Sequence, residues 1–310
     1  MAGKATRAAY GETLVELVQE GFDIVAVDAD LTGSTTTKKL GDFDAQRLIN
    51  VGVAEQNMVD VAAGLALAGK IAFTGSFAVF GTGRVYDQIR NTVCYSNLNV
   101  KIAPTHAGIS VGPDGGSHQM LEDIALMRVL PYMRVLVPAD YQSAKAAIRI
   151  AATTYGPVYV RLGRPALPDI YTPEDDFALG TAHVLRTGDD VTILACGLEV
   201  AQALKAAEEL AAQGIEAEVI DVFSIKPLDE RTILESVAKT GRAVTAEEHM
   251  VAGGMGSAVA EFLAETMPVP LKMVGVHDKF GTSSDDLDEL MSAFGLDFNS
   301  IVMAVQQLCA

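Results

Sequence analysis

Apolar and polar positions alternate between two periods along the chain, and the alternation predicts its elements. From 5 to 21 the apolar residues return every three to four positions, with Leu14, Leu17 and Val18 on one face, which predicts a helix that Gly21 stops. Ile24-Val25-Ala26-Val27 is a short apolar run, as expected of a buried strand, and a polar loop from Asp30 to Thr35 follows it. A helix of small apolar residues starts at Glu55 and ends near Gly69. A strand over 71–77, a helix over 84–97 and a strand over 100–105 come next. Ser117 predicts a cap for a helix from His118 to about residue 130. A strand over 134–138, a helix over 143–153 and a strand over 157–162 complete the set. Such βα alternation argues for a parallel sheet covered on both faces.

The character of the chain changes after Arg164. Pro165, Pro168 and Pro173 appear with the acidic run Glu174-Asp175-Asp176, which predicts an interdomain linker. The division expected is a first domain over 1–168, a linker over 169–186 and a second domain over 187–310. The second domain alternates again, with strands expected over 191–195, 217–221, 243–246 and 271–276. Helices fit 198–213, 229–239, 254–266 and 300–308. The length, 310 residues, suits two domains of ordinary size.

Charge and composition narrow the function. Apolar residues make up 49% of the chain, enough for two cores, and the many small ones suit close helix packing and a large partner interface. The net charge of −17 repels nucleic-acid phosphates and anionic membranes, so neither is an expected partner. The three cysteines are far apart and form no disulfide framework or zinc pair. No signal-peptide core or membrane-length apolar run is present, so a cytoplasmic protein with reduced thiols is expected.

Three constellations carry candidate chemistry. The first is Glu55, in Asn50-Val51-Gly52-Val53-Ala54-Glu55-Gln56-Asn57-Met58. A carboxylate heading an apolar helix is expected to be buried, with its pKa raised and its proton shared with a ligand. The alternative is a glutamate that merely favours the helix dipole. Phe77 and Phe80, three apart beside glycines, could present two rings to a flat heterocycle or could be ordinary core.

The second is the loop from His106 to His118, which holds four glycines, Pro113 and Asp114 and carries two of the five histidines at its ends. A neutral histidine at a strand end or helix start can exchange protons with a sugar hydroxyl or carbonyl. The twelve-residue separation fits no standard zinc spacing. The third is Arg7, Ser34 and Arg164, which a doubly wound sheet would gather at its strand ends as an anion site. Taken singly, each could equally belong to a surface ion pair.

Together these residues resemble the pyrimidine-binding and C-terminal domains of transketolase. Gly52 to Met58 matches a motif shared across thiamine-diphosphate enzymes. The His106–His118 loop and Arg161-Leu162-Gly163-Arg164-Pro165 resemble transketolase in particular. The fold class implied is α/β, with two doubly wound domains: a thiamine-diphosphate pyrimidine-binding domain and a transketolase C-terminal domain. The cofactors implied are thiamine diphosphate and Mg²⁺. By the resemblance, Glu55 hydrogen-bonds N1′ of the cofactor's aminopyrimidine and biases its tautomer. Phe77 and Phe80 pack on that ring, and Asp30 lies near it at a subunit interface. His106, Asp114 and His118 contact donor-sugar hydroxyls, with His118 also moving protons. Arg7, Ser34 and Arg164 hold the sugar phosphate.

Two departures change the pattern: Gly83 stands where some transketolases carry a third aromatic, and Pro113 where bacterial ones often have Glu. A larger one is that the chain has no Gly-Asp-Gly, the family's diphosphate and Mg²⁺ motif. The expectation is therefore the C-terminal subunit of a split transketolase, with no metal ligands of its own. Its partner would be an N-terminal subunit with the diphosphate-binding domain, in an α2β2 heterotetramer acting on sugar phosphates of pentose-phosphate metabolism. Ser224 to Asp229 and Glu247 to Ser257 resemble family signatures too. The glycine-rich helix start there could bind an anion, but a structural turn is the expectation, and His249 a structural residue. The competing expectations are a β-subunit of a 2-oxoacid dehydrogenase, a deoxyxylulose-phosphate-synthase relative, and a non-catalytic structural subunit.

Overall fold

The computed structural model describes residues 3–309. The first half of the chain runs α1 (Thr6–Gln19), β1 (Ile24–Asp28), α2 (Thr32–Thr35), α3 (Lys38–Phe43), β2 (Leu48–Asn50), α4 (Glu55–Leu67), β3 (Ile71–Gly75), β4 (Val100–Ile102), α5 (Asp123–Arg128), β5 (Arg134–Leu136), α6 (Tyr141–Thr153) and β6 (Val158–Val160). The second half runs β7 (His183–Arg186), β8 (Val191–Ala195), α7 (Glu199–Ala211), β9 (Ala217–Asp221), β10 (Ser224–Lys226), α8 (Glu230–Thr240), β11 (Ala243–Met250), α9 (Met255–Thr266), β12 (Leu271–Val276), α10 (Leu287–Ala293) and α11 (Phe298–Cys309).

Two sheets result. The first has the order β10-β5-β6-β4-β3-β1-β2, and the second β12-β11-β8-β9-β7. Pairing is parallel except at two edges, where β10 runs antiparallel to β5 and β7 antiparallel to β9. In the first sheet β1 pairs with β2 on one side and β3 on the other, so chain direction reverses between β1 and β3. Such a switch opens a crevice beyond the carboxyl ends of the strands.

The periodicities explain the faces. In α1, Ala9, Tyr10, Leu14 and Leu17 are buried together against the same face of the first sheet as Ala144, Ala147, Ile148 and Ala151 of α6. Asp140 starts α6 by accepting from Ser143 N at 2.8 Å, a cap worth about 1 kcal/mol. On the opposite face Met58 and Ala62 of α4 share one apolar cluster with Ile233 of α8 and Met255 of α9. The core is thus continuous from one domain into the other.

Three local expectations need correction. No helix opens at His118: residues 118 and 119 both donate to Gly115 O, and Met120 forms an antiparallel bridge with Gly108. That bridge keeps the chain extended, so α5 waits until Asp123, and Ser117 turns its Oγ to His118 Nδ1 at 3.0 Å instead of capping. The expected 84–97 helix is interrupted by a wide π turn over Gln88–Cys94, and a second π turn, over Val79–Gly83, precedes it. The last four residues of the expected linker form β7. Upstream of it, Asp140 Oδ2 accepts from Ile170 N and Tyr171 N, each at 2.9 Å, and Tyr171 donates to Asp221 at 2.8 Å.

Candidate functional site

The carboxyl ends of β6, β4, β3, β1 and β2 deliver Arg164, His106, the two phenylalanines, Asp30 and Glu55 in that spatial order. Gly52, at φ +74, turns the chain after β2 so that Glu55 becomes the first residue of α4. Its side chain is buried, 6% exposed. Oε1 accepts from Arg84 Nη1 at 2.9 Å, and Oε2 has no hydrogen-bond partner among the described residues. Asn50 holds the turn by accepting from Gly52 N at 3.0 Å and Asp30 N at 3.1 Å. Asp30 itself is exposed, with φ at +65.

From Glu55 the side chains form one continuous row. The Arg84 guanidinium lies 4.4 Å from the Phe80 ring centroid. Phe80 meets the His118 ring edge-on at 5.3 Å. Phe77 is nearly parallel to Phe80, at 15° and 6.3 Å, and stacks on His106 at 3.8 Å. His106 is buried with φ at +62, and its Nδ1 shares a hydrogen bond of 2.7 Å with Thr105 Oγ1. Burial, then the charges of Arg7 and Arg164, push its pKa down to about 3, so the ring is neutral near pH 7.

The arginines sit at the other end of the row. Arg7 and Arg164 line a cleft of about 320 Å³ with Ser110, Gly112, Pro113, Ser284 and Asp285. Arg7 donates to Ser34 O at 3.0 Å, so Ser34 meets it through its carbonyl. Arg164 donates to Val111 O. Burial and the neighbouring Arg164 lower the Arg7 pKa, as expected of two cations sharing one mouth. Asp114 is exposed in the single turn Gly112–Asp114 and makes no side-chain hydrogen bond among the described residues.

Several residues escaped the sequence reasoning. Arg84 is one, and the loop carrying Ser284 and Asp285 is another. That loop is pinned by Gln119 donating to Thr282 O at 2.8 Å and Ser283 donating to Pro113 O at 2.6 Å. A third is the buried joint beneath the His106–His118 loop. Arg161 Nε donates to Asp123 at 2.7 Å and its Nη2 to Glu248 O at 2.9 Å, while Glu248 accepts from Ser110 N at 2.6 Å. The sequence marked Arg161 and Glu248 as parts of two separate family-like segments, and nothing in it paired them.

The residues fit a flat, nitrogen-bearing cofactor: a buried carboxyl with one oxygen uncommitted stands in line with stacked rings. Among the described residues no cluster of three or more His, Cys, Asp or Glu is placed to hold a metal. No helix among them is long and apolar enough to cross a membrane.

Comparison with known proteins shows the family. Residues 2–169 match the family model described as transketolase, pyrimidine binding domain, and 180–301 that of transketolase, C-terminal domain. The 6-deoxy-6-sulfo-D-fructose transketolase subunit SqwH of Clostridium sp. (strain MSTE9) is 47% identical, over 97% of this chain and 94% of that one. An apulose-4-phosphate transketolase subunit of Phocaeicola vulgatus is 38% identical, over 96% and 95%. A solved structure described as a split gene transketolase, inactive beta4 tetramer, superposes with a TM-score of 0.91 at 50% identity, covering 99% of this chain and 98% of that one. The chain belongs to the transketolase family. It is a transketolase-type subunit, and the family implies dependence on thiamine diphosphate.

Proposed function

We propose that the chain is the C-terminal subunit of a two-chain transketolase that moves a two-carbon ketol unit from a ketose phosphate to an aldose phosphate. The observation that carries this is the row of contacts from Glu55 through Arg84, Phe80, His118 and Phe77 to His106, with Arg7 and Arg164 near enough for their charges to act on that histidine. One end suits a heterocycle, the middle a sugar and the far end an anion.

Bound thiamine diphosphate supplies the carbon nucleophile of the reaction. Around it, Glu55 presents its free oxygen to N1′ of the aminopyrimidine, and Phe77 with Phe80 cover the ring. Asp30 lies beside the cofactor at the subunit interface. Neutral His106 orients a donor hydroxyl, Asp114 binds another, and His118 holds and moves a proton on the sugar. Arg7, Ser34 and Arg164 bind the terminal anion. Mg²⁺ and the diphosphate are held by an N-terminal partner subunit, and two such pairs make an α2β2 assembly. Val53 and Leu67, each 74% exposed at the two ends of α4, give the partner an apolar seat. The similarity to a self-associated, inactive split-gene subunit supports the need for a second chain.

The similarity to the sulfofructose subunit favours a second substrate reading within the same reaction. A sulfonate offers the arginines three acceptor oxygens, as a phosphate does. A 2-oxoacid substrate has no use for His106, His118 and the distant arginines together.

The test is activity of the chain alone and with an N-terminal subunit, using xylulose 5-phosphate and ribose 5-phosphate or a sulfonated ketose. Activity should require both chains, and Glu55→Gln should lower kcat about a hundredfold or more. Turnover by the chain alone, or full activity of Glu55→Gln, would sink the proposal.

A further inference from the structure

Arg84 stands where the row changes from carboxylate to ring. It donates to Glu55 Oε1 at 2.9 Å and lies over Phe80 at 4.4 Å. Beside it, a Cβ built at Gly83 would meet only Met120 Cε, at 3.9 Å. The space next to Gly83 is therefore open, and a guanidinium rather than a third ring covers the face of Phe80. Planar guanidinium suits both contacts, as a charge-assisted donor and as a cation over a π face.

An incoming aminopyrimidine that stacks on Phe80 would need the ring face that Arg84 covers, while Glu55 offers it the unpaired Oε2. One ring face cannot be in van der Waals contact with two planar groups at once. The Arg84 side chain is 49% exposed and the Glu55 side chain 7%. The arginine arm can thus swing outward without disturbing the core, whereas the carboxylate is held in place by α4.

We propose that Arg84 is a displaceable latch, pairing Glu55 and shielding Phe80 until the cofactor's flat ring takes the Phe80 face and its nitrogen becomes the carboxylate's partner. This rests on the assignment of Glu55 as the ring's partner. The latch is a positioning device: it keeps a buried carboxylate from standing unpaired, a state that is costly. Because the arginine is half exposed and the incoming ring replaces it as it leaves, the competition it offers is mild. A subunit that waits for a second chain to complete its site gains from such a placeholder.

The experiment is calorimetric titration of thiamine diphosphate, with saturating Mg²⁺, into the two-chain enzyme. Arg84→Ala should bind about two- to five-fold tighter than the unaltered enzyme. Arg84→Lys keeps the charge but loses the planar fork and should fall between them. In a Glu55→Gln background the gain from Arg84→Ala should shrink, since the two side chains act through each other. Thermal unfolding of each variant guards against misfolding, and Arg84→Gln serves if Arg84→Ala fails to assemble. Weaker or unchanged binding on losing Arg84, with Glu55→Gln still weakening it, overturns the latch alone. Absence of saturable binding, or Glu55→Gln binding as tightly as the unaltered enzyme, overturns the site assignment and the latch with it.

Discussion

Glu55 and Glu247 occupy similar places in two similar domains and are used in opposite ways. Each lies where strand ends meet the start of a helix. Glu247, in β11, is fully buried, and its oxygens accept from Met255 N at 2.7 Å and Gly256 N at 2.8 Å. Burial pushes its pKa up to about 7 despite those donors. A Cβ at Gly254 would collide with Glu247 Oε2, so the glycine permits the approach. The helix start that could have bound an outside anion is thus filled by the chain's own carboxylate. Glu55 is held by an exposed arm on one oxygen only. A charge answered by rigid backbone donors is a structural joint, whereas one answered by a movable side chain is open to a ligand.

The contrast can be tested at three strengths. The largest effect should come from Arg161→Ala, which strands Asp123 and Glu248 as buried charges and should cost about 3–5 kcal/mol in urea unfolding. A loss below about 1 kcal/mol would mean that the interdomain joint is not a closed network. Next, Glu247→Gln should cost about 1–2 kcal/mol, with kcat per folded enzyme changed only a few-fold. Glu55→Gln should show the reverse profile, with unfolding moved by less than about 0.5 kcal/mol. Matching profiles for the two variants would erase the distinction.

The mildest test is pH. His106 and His249 have native pKa values pushed down to about 3 and about 4, chiefly by burial. The unfolded chain takes up protons first, below about pH 6.5. Stability from these two groups is therefore complete above that pH and falls as the pH drops toward 3–4. Each should subtract about 1 kcal/mol between pH 7.5 and 5.5. Unfolding midpoints at the two values, with His106→Gln flattening the difference, check the sign.

Much of this was legible in order and spacing. Strands β1, β8 and β9 fall where short apolar runs place them, because burial on both faces leaves a continuous signal. Phe77 and His106 were legible as candidates because each closes an expected strand, and Glu55 because a carboxylate there heads an apolar helix. What escaped depended on distant partners. Arg161 meets Asp123 and Glu248 across 38 and 87 positions, and no local period encodes such pairs. β10 is three residues long and pairs with a strand almost ninety positions earlier. The helix expected at His118 failed because the bridge from Met120 to Gly108 overrides a good capping residue. Arg84 lies just beyond a π turn, where α spacing no longer predicts which way a side chain points.

The antiparallel addition of β10 to β5 has a consequence for cutting the molecule. The two family signatures invite division near residue 170, yet Ser224–Lys226 is the strip that closes the first sheet. A fragment ending there would bare the outer rim of Arg134–Leu136, a row of unpaired amides and carbonyls ready to template another chain. In manufacture, the first domain alone would be sticky, and the second serves as its selvedge.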